Sequence, residues 1–213
     1  MNEMEQYSHE LRKVLPPTTI AVFDFDGTIT NKDTLLEFIK FSKGKGRLYF
    51  GFLLFSPLLM AMKLKIYPNW KAKQHLFSYF YKNVSIEIFN NWSNDFSFEI
   101  EKILRFDAIE KLNFHKRNGD KIVIISASIE NWIKPWAEKA GIETVLATKI
   151  EIDKSGLLTG NFLTKNCYGQ EKVNRLLEIF PDRSKNKIIA YGDSRGDKEL
   201  IQLADEGFYK KFK

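Results

Sequence analysis

Three largely apolar runs, Ile20–Phe23, Lys121–Ile125 and Lys187–Tyr191, constrain the fold of this chain more than any other feature. Each is short, dominated by β-branched, aliphatic or aromatic side chains, and reads as a strand buried on both faces. Each also stops abruptly in polar residues: Asp24-Phe25-Asp26-Gly27-Thr28 after the first, Ser126 after the second, Gly192-Asp193-Ser194 after the third. Helical patterns follow at Glu130–Ala140, closed by Gly141, at Glu171–Phe180, closed by Pro181, and at Asp197–Leu203. Such β–α alternation implies a parallel sheet covered by helices. Ligands of open α/β sheets bind beyond the carboxyl ends of the strands, so the three polar termini are expected around one site. Each residue also has a plainer reading. Ser126 and Asp193 suit helix N-caps, Lys172 a solvated helix position, and Asp197 a surface pair with Lys198 or Arg195.

Residues 31–118 show no strand pattern. Helices are expected at Thr34–Phe41, Trp70–Tyr81, Ile86–Phe98 and Asp107–Arg117, the last ending at Asn118-Gly119. Gly44-Lys45-Gly46 breaks the first of them, and Leu48–Met62, with 12 of 15 residues apolar, is interrupted at Gly51, Ser56 and Pro57. Thr144–Leu146 suits a further strand, and Ala147–Asp153 with Leu157–Phe162 a β-hairpin. The expected architecture is α/β. A Rossmann-like parallel sheet with helices on both faces is built from residues 1–30 and 119–213, a mostly helical cap from residues 31–118, and the hairpin is added to them.

Charge is concentrated in that insertion. Between Lys32 and Lys82 ten Lys/Arg face only Asp33 and Glu37, so the segment carries +8 while the rest of the chain sums to −2. Lys43, Lys45 and Arg47 precede Leu48–Met62, and Lys63 and Lys65 follow it. Basic flanks around an apolar run suggest peripheral contact with anionic lipid; a packed cap core or a dimer interface explains the run equally well. Fifteen helical residues reach about 22 Å, short of a roughly 30 Å hydrocarbon core, so a single span is not expected, and membrane contact would take the form of an interfacial or re-entrant pair broken at Pro57. No recognition motif accompanies the charge, so nucleic acid is not an expected partner. The single Cys167 excludes an internal disulfide, and Met1–Lys13 has no apolar signal region and reads as a docking helix or a frayed tail. The expected location is the cytoplasm, either free or at the cytoplasmic face of a membrane.

Taken in order, Asp24-x-Asp26-Gly27-Thr28, Ser126, Lys172 and Asp193 with Asp197 four residues on resemble the four motifs of the haloacid dehalogenase (HAD) superfamily of phosphatases. The insertion between the first two motifs is similar to the helical cap of its phosphoserine-phosphatase-like subfamily. The chemistry explains the grouping. A carboxylate attacking a phosphate monoester meets like charge, at roughly 4 kcal/mol per unit pair near 4 Å and an effective dielectric of about 20. Cations must offset this: Asp193 suits a hard, oxygen-liganded ion such as Mg²⁺, and Lys172 supplies a fixed charge. The resemblance implies that Asp24 attacks phosphorus and that Asp26 is the general acid and base. It implies that Asp24, the Asp26 carbonyl and Asp193 hold Mg²⁺, with Asp197 as a ligand or a ligand's partner. It also implies that Ser126, Lys172, Gly27, Thr28 and Ala127 surround the phosphate. Substrates would be small phosphorylated metabolites or phospholipid head groups. Transfer to another hydroxyl, or a degenerate module that only binds, are the alternatives.

Three departures bear on the substrate. Asp33 stands where the phosphoserine enzymes commonly carry a glutamate that meets the substrate amine, and is the candidate specificity residue. Ala127 and Ser128 replace two glycines. The stretch Trp70–Phe80 has no arginine to clamp a carboxylate, and a lysine does not reproduce that bidentate fork. Phosphoserine itself is therefore disfavoured, and relatives acting on phosphatidylglycerophosphate look similar in the apolar, proline-interrupted run.

Overall fold

The computed structural model describes residues 18–64 and 66–212. The reading of Met1–Lys13, and the contributions of Lys65 and the Lys63 side chain to the basic flank, lie outside the described residues. Five strands, β1 (Thr18–Phe23), β2 (Lys121–Ile129), β3 (Thr144–Thr148), β6 (Asn186–Gly192) and β7 (Glu206–Tyr209), form a parallel sheet in the order β3-β2-β1-β6-β7. Strand alternation feeds two apolar layers. Ala21, Phe23, Ile124, Ile189 and Tyr191 face one cluster, whereas Ile20, Val22, Val123, Ile125, Ile188 and Ala190 face the other. Helix α6 (Glu130–Lys139) packs its Trp132, Ile133 and Trp136 into the first layer. Helices α7 (Gln170–Ile179) and α8 (Lys198–Leu203) bring Val173, Leu176 and Leu200 to the second. With β2 and β6 on opposite sides of β1, the chain reverses its direction of spread at β1, and the carboxyl ends of all three strands meet there.

The insertion supplies α1 (Thr34–Lys43), α2 (Lys45–Lys63), α3 (Asn69–Tyr81) and α4 (Ile86–Glu101), with α5 (Phe106–Arg117) lying against β2. An aromatic cluster joins these helices to α6: Phe38 stacks on Trp132 with ring centroids 4.7 Å apart and meets Tyr81, Phe89 and Phe96 edge-on or tilted. The hairpin, β4 (Ile150–Ile152) with β5 (Leu158–Phe162), packs on α3 and is tied to the α3–α4 turn by Asn83 N–H donating to Leu158 O at 2.8 Å and Ile86 N–H to Gly156 O at 2.9 Å.

Four local expectations are corrected. Helix α2 is not broken at Pro57 but continuous for 19 residues. The missing proline N–H would have bonded Leu53 O, and the Ser56 hydroxyl donates to that carbonyl instead at 2.8 Å. Only Gly44, at φ +84°, interrupts the chain between α1 and α2, and Lys45 already begins the next helix. Ala147 and Thr148 belong to parallel β3, not to the hairpin. Strand β2 does not end at Ser126 but reaches Ile129 through a register irregularity. Strand β7, four residues with a glycine at a site where a Cβ would strike Ile201, had no pattern long enough to read. Among the described residues no helix is long and apolar enough to cross a membrane.

Candidate active site

Asp24 follows β1 directly, its N–H donating to Tyr191 O at 2.9 Å, so the sheet's own hydrogen bonding fixes it. The next turn is tight: Phe25 O accepts from Thr28, Ile29 and Thr30 N–H groups. Gly27 sits at φ +81° with the Asp193 carboxylate packed where a Cβ would lie. Gly27→Ala is expected to cost roughly 1–2 kcal/mol in backbone strain and, by displacing Asp193, to weaken divalent-cation binding roughly tenfold or more. Calorimetric titration with Mg²⁺ alongside denaturant unfolding reads both.

Lys172, on the first turn of α7, is 2% exposed and donates to three acceptors: Asp24 Oδ1 at 2.6 Å, Asp197 Oδ1 at 2.5 Å and Ile125 O at 3.0 Å. A solvated-lysine reading is excluded. Burial alone would lower its pKa, but Asp24 and Asp197 hold it above the ordinary value. Burial pushes Asp24 up to about 7, with the Asp197 and Asp26 charges adding to the rise and Lys172 opposing it. Burial also pushes Asp197 up, yet Lys172 and the Ser194 donors outweigh it and keep that carboxyl below its usual range.

Asp197 is fully buried rather than paired with Lys198 or Arg195. Its Oδ2 accepts the Asp193 N–H at 3.2 Å, the Ser194 N–H at 2.9 Å and the Ser194 hydroxyl at 2.7 Å. Together with Gly196 N–H donating to Ser194 Oγ, this is a capping box. The cap residue is thus Ser194, and Asp193 is left facing the cleft. Asp24, Asp193 and Asp197 each bring one carboxylate oxygen within 4.8 Å of the others, an all-oxygen donor set of the kind hard divalent ions take. Both Asp197 oxygens already accept donors, Lys172 at Oδ1 and the 193–194 groups at Oδ2, so Asp197 is better suited to support the site than to face an ion directly.

Asp26 is held from two sides. Its Oδ1 accepts the Thr34 N–H at 3.0 Å and the Thr34 hydroxyl at 2.7 Å, and its Oδ2 accepts the Ser128 hydroxyl. Trp132 Nε1–H in turn donates to Thr34 Oγ1 at 3.1 Å. Burial first, and then the neighbouring Asp33 charge, raise the Asp26 pKa against the pull of Lys73. Ser128 thereby gives a structural reason for one departure from the two-glycine pattern. Ser126 is buried, its Oγ accepts the Ser128 N–H at 3.1 Å, and it caps no helix; the residue preceding α6 is Ile129.

The cleft over these groups has a volume of about 360 Å³. Asp24, Asp26, Gly27, Ser126, Ala127 and Lys172 line it, as do Asp33 and Asp193. Thr28 does not: it is buried, with its hydroxyl 3.5 Å from Asp24 Oδ2. Asp33 lines the cleft while capping α1, accepting the Leu35 and Leu36 N–H groups at 2.9 and 3.3 Å. Lys73, which sequence reasoning passed over, reaches from α3 across the cleft to donate to Ala127 O at 3.0 Å. Its only sequence signal was its place in the stretch searched for an arginine. Arg105, Asn69 and Tyr168, which carried no signal, line the rim together with Asn31, Lys32 and Ser194. Cys167 is buried, and burial pushes its thiol up to about 11, which favours the protonated form over the thiolate.

A family model described as haloacid dehalogenase-like hydrolase matches residues 21–202. Protein CicA of Caulobacter vibrioides is 33% identical over 196 residues, which are 91% of this chain and 86% of that protein. Histidinol-phosphatase of Neisseria meningitidis serogroup C is 30% identical over 97 residues, 43% of this chain and 44% of that one. Among solved structures, a phospho-aspartyl intermediate analogue of phosphoserine phosphatase shares the fold with a TM-score of 0.60 at 18% identity, covering 92% of this chain and 86% of the other.

Proposed function

This chain belongs to the haloacid dehalogenase-like hydrolase family, and we propose that within it the protein is a Mg²⁺-dependent phosphatase that cleaves phosphomonoesters through an aspartyl-phosphate on Asp24. The observation that carries this reading is the buried Lys172 ammonium, 2.6 Å from Asp24 in the same cleft as Asp193. A carboxylate kept beside a fixed cation can meet a phosphate dianion without the full like-charge penalty. The names of two similar proteins, a histidinol-phosphatase and a phosphoserine phosphatase with a phospho-aspartyl analogue, support the same chemistry.

In this mechanism an Asp24 carboxylate oxygen forms a bond to phosphorus as the ester P–O bond breaks. The leaving oxygen takes its proton from the Asp26 carboxyl, whose raised pKa favours the protonated form needed for that step. Asp26, now a carboxylate, then accepts a proton from water, the water oxygen bonds to phosphorus, and the Asp24–phosphorus bond breaks to release inorganic phosphate. Thr34 and Ser128 hold Asp26 in place through both transfers. Lys172 stays charged throughout, fixed by Asp24 and Asp197, while Ser126 and the Lys73 side chain flank the phosphoryl group and its leaving group. Asp24, Asp193 and the Asp26 carbonyl would hold Mg²⁺, which supplies charge neutralisation at the transferring phosphoryl oxygens. The substrate is a small phosphorylated metabolite or a phospholipid head-group phosphate whose alcohol is the leaving group, with Lys73 in place of the bidentate arginine that a carboxylate-bearing leaving group would need.

Hydrolysis of p-nitrophenyl phosphate in Mg²⁺, abolished by EDTA and restored by added Mg²⁺, is the expected result. Turnover that persists at full rate in EDTA overturns the metal dependence. Phosphate appearing on an added alcohol instead of in solution makes the protein a phosphotransferase.

A further inference from the structure

Helix α2 is apolar on every side, yet only one side is covered. Toward the protein, Leu48 and Gly51 are buried and Phe52 and Phe55 pack against the core, with the Phe80 ring lying where a Gly51 Cβ would be. On the other side Tyr49, Phe50, Leu53, Leu54 and Met60 are 68%, 59%, 72%, 53% and 59% exposed. At 100° per residue these five and Pro57 fall in one strip roughly 140° wide. No charged residue interrupts it between Arg47 and Lys63. Exposed Lys45 and Arg47 project just outside its two edges, and Leu64 and Ile66 extend the apolar surface past the helix end. A contiguous apolar patch of this kind on a free surface marks an interaction site.

We propose that this strip is a docking surface for an anionic lipid bilayer, with α2 lying in the plane of the head-group boundary. Three observations select lipid over other occupants. The segment from Lys32 to Lys82 carries +8 against −2 for the rest of the chain, so two copies meeting strip to strip would bring like charges together, whereas an anionic surface neutralises them. The strip is flanked by bases rather than capped by acids, the arrangement that inserts an apolar face while cations sit among head-group phosphates. The helix spans about 28 Å, and no described helix is long and apolar enough to cross a membrane, so lying flat is the geometry open to it. The apolar surface also ends at Ile66, three residues before Asn69, which lines the catalytic cleft with Lys73. Docking therefore holds the cleft close to the lipid surface. Insofar as the phosphatase reading holds, on which this last step rests, the substrate is a phosphomonoester borne on a lipid head group.

Co-sedimentation of the full chain with unilamellar vesicles tests this directly. Binding is expected to phosphatidylcholine vesicles doped with phosphatidylglycerol, weakening as ionic strength rises, with little binding to phosphatidylcholine alone. Leu53→Glu combined with Leu54→Glu should reduce the partition roughly tenfold or more, and Lys45→Glu with Arg47→Glu similarly. Both pairs should keep soluble p-nitrophenyl phosphate hydrolysis at the wild-type level. Vesicle binding without any hydrolysis would leave the docking surface standing and remove the catalytic reading. Failure to bind the phosphatidylglycerol vesicles at low salt, or binding indifferent to the Leu53/Leu54 change, overturns the proposal. So does a concentration-dependent dimer dissolved by that change, which would assign the strip to a second copy. Protection of residues 49–60 from hydroxyl-radical labelling in a vesicle-free monomer would overturn it too, assigning the strip to the chain's own first seventeen residues.

Discussion

Asp24→Asn is expected to abolish phosphate release, by a factor on the order of 10⁴ or more, while leaving the metal-free protein more stable than the wild type above neutral pH. The two halves of this result have one cause. Asp24 is 5% exposed and its pKa is pushed up to about 7 by burial. The unfolded value lies near 4, so the stability that this group contributes is fully present below about pH 4 and is lost as pH rises through about 7. At pH 8 in EDTA the wild type therefore holds a carboxylate that folding penalises, on the order of 4 kcal/mol. Asparagine fills the same space without the charge, and Lys172 keeps Asp197 and Ile125 O as partners. Thermal unfolding at pH 8 in EDTA should show a higher Tm for Asp24→Asn, and Mg²⁺ should raise the Tm of the wild type far more than that of the variant. An inactive variant that is also less stable would mean the loss is structural. A variant that still turns over would end the case for Asp24 as nucleophile.

The parts of this site that were legible in the sequence are those fixed by local pattern. A buried run ending in Asp24-x-Asp26-Gly27 announces a strand and its terminus within nine residues, and the same holds for Asp193 after β6. Parallel pairing of β1 with both β2 and β6 then brings these termini together, which is why Ser126 and Asp193 line one cleft with Asp24. What escaped was decided by distant contact. Ser128 reaches Asp26 across 102 positions, and Lys73 reaches Ala127 across 54. Neither a serine near a strand end nor a lysine on a helix carries a local sign of such a partner. Pro57 misled for the opposite reason. Its local rule is strong, and one hydroxyl on Ser56 met the carbonyl that the rule leaves unpaired. The apolar character of α2 was plain in the sequence, but which half of it the protein covers depends on Phe52 and Phe55 meeting the cap core.

Lys172→Met should be the most damaging change to stability in the cleft, at about 3–5 kcal/mol, because it removes one partner of a buried charge set and leaves the others uncompensated. Asp24 and Asp197 would then face each other as buried carboxylates within 4.8 Å, having lost the cation now bonded to both at 2.6 and 2.5 Å. Without the ammonium the Asp24 pKa rises further and that of Asp197, now held below its usual range, rises as well, since the Lys172 charge opposes burial at each. The destabilisation should accordingly shrink as pH falls from 8 toward 5 and the pair takes up a proton, which denaturant unfolding at the two pH values will read. Turnover should fall roughly 10²–10³-fold, the usual loss on removing a fixed positive or donor group from a charge-developing site. Arginine is not an expected rescue. The lysine ammonium meets three acceptors at one point, whereas the planar guanidinium fork needs room that a 2%-exposed site does not provide. Wild-type stability in Lys172→Met, flat across pH, would show that the carboxylates are neutralised by something other than this lysine and would remove the observation on which the phosphatase reading chiefly stands.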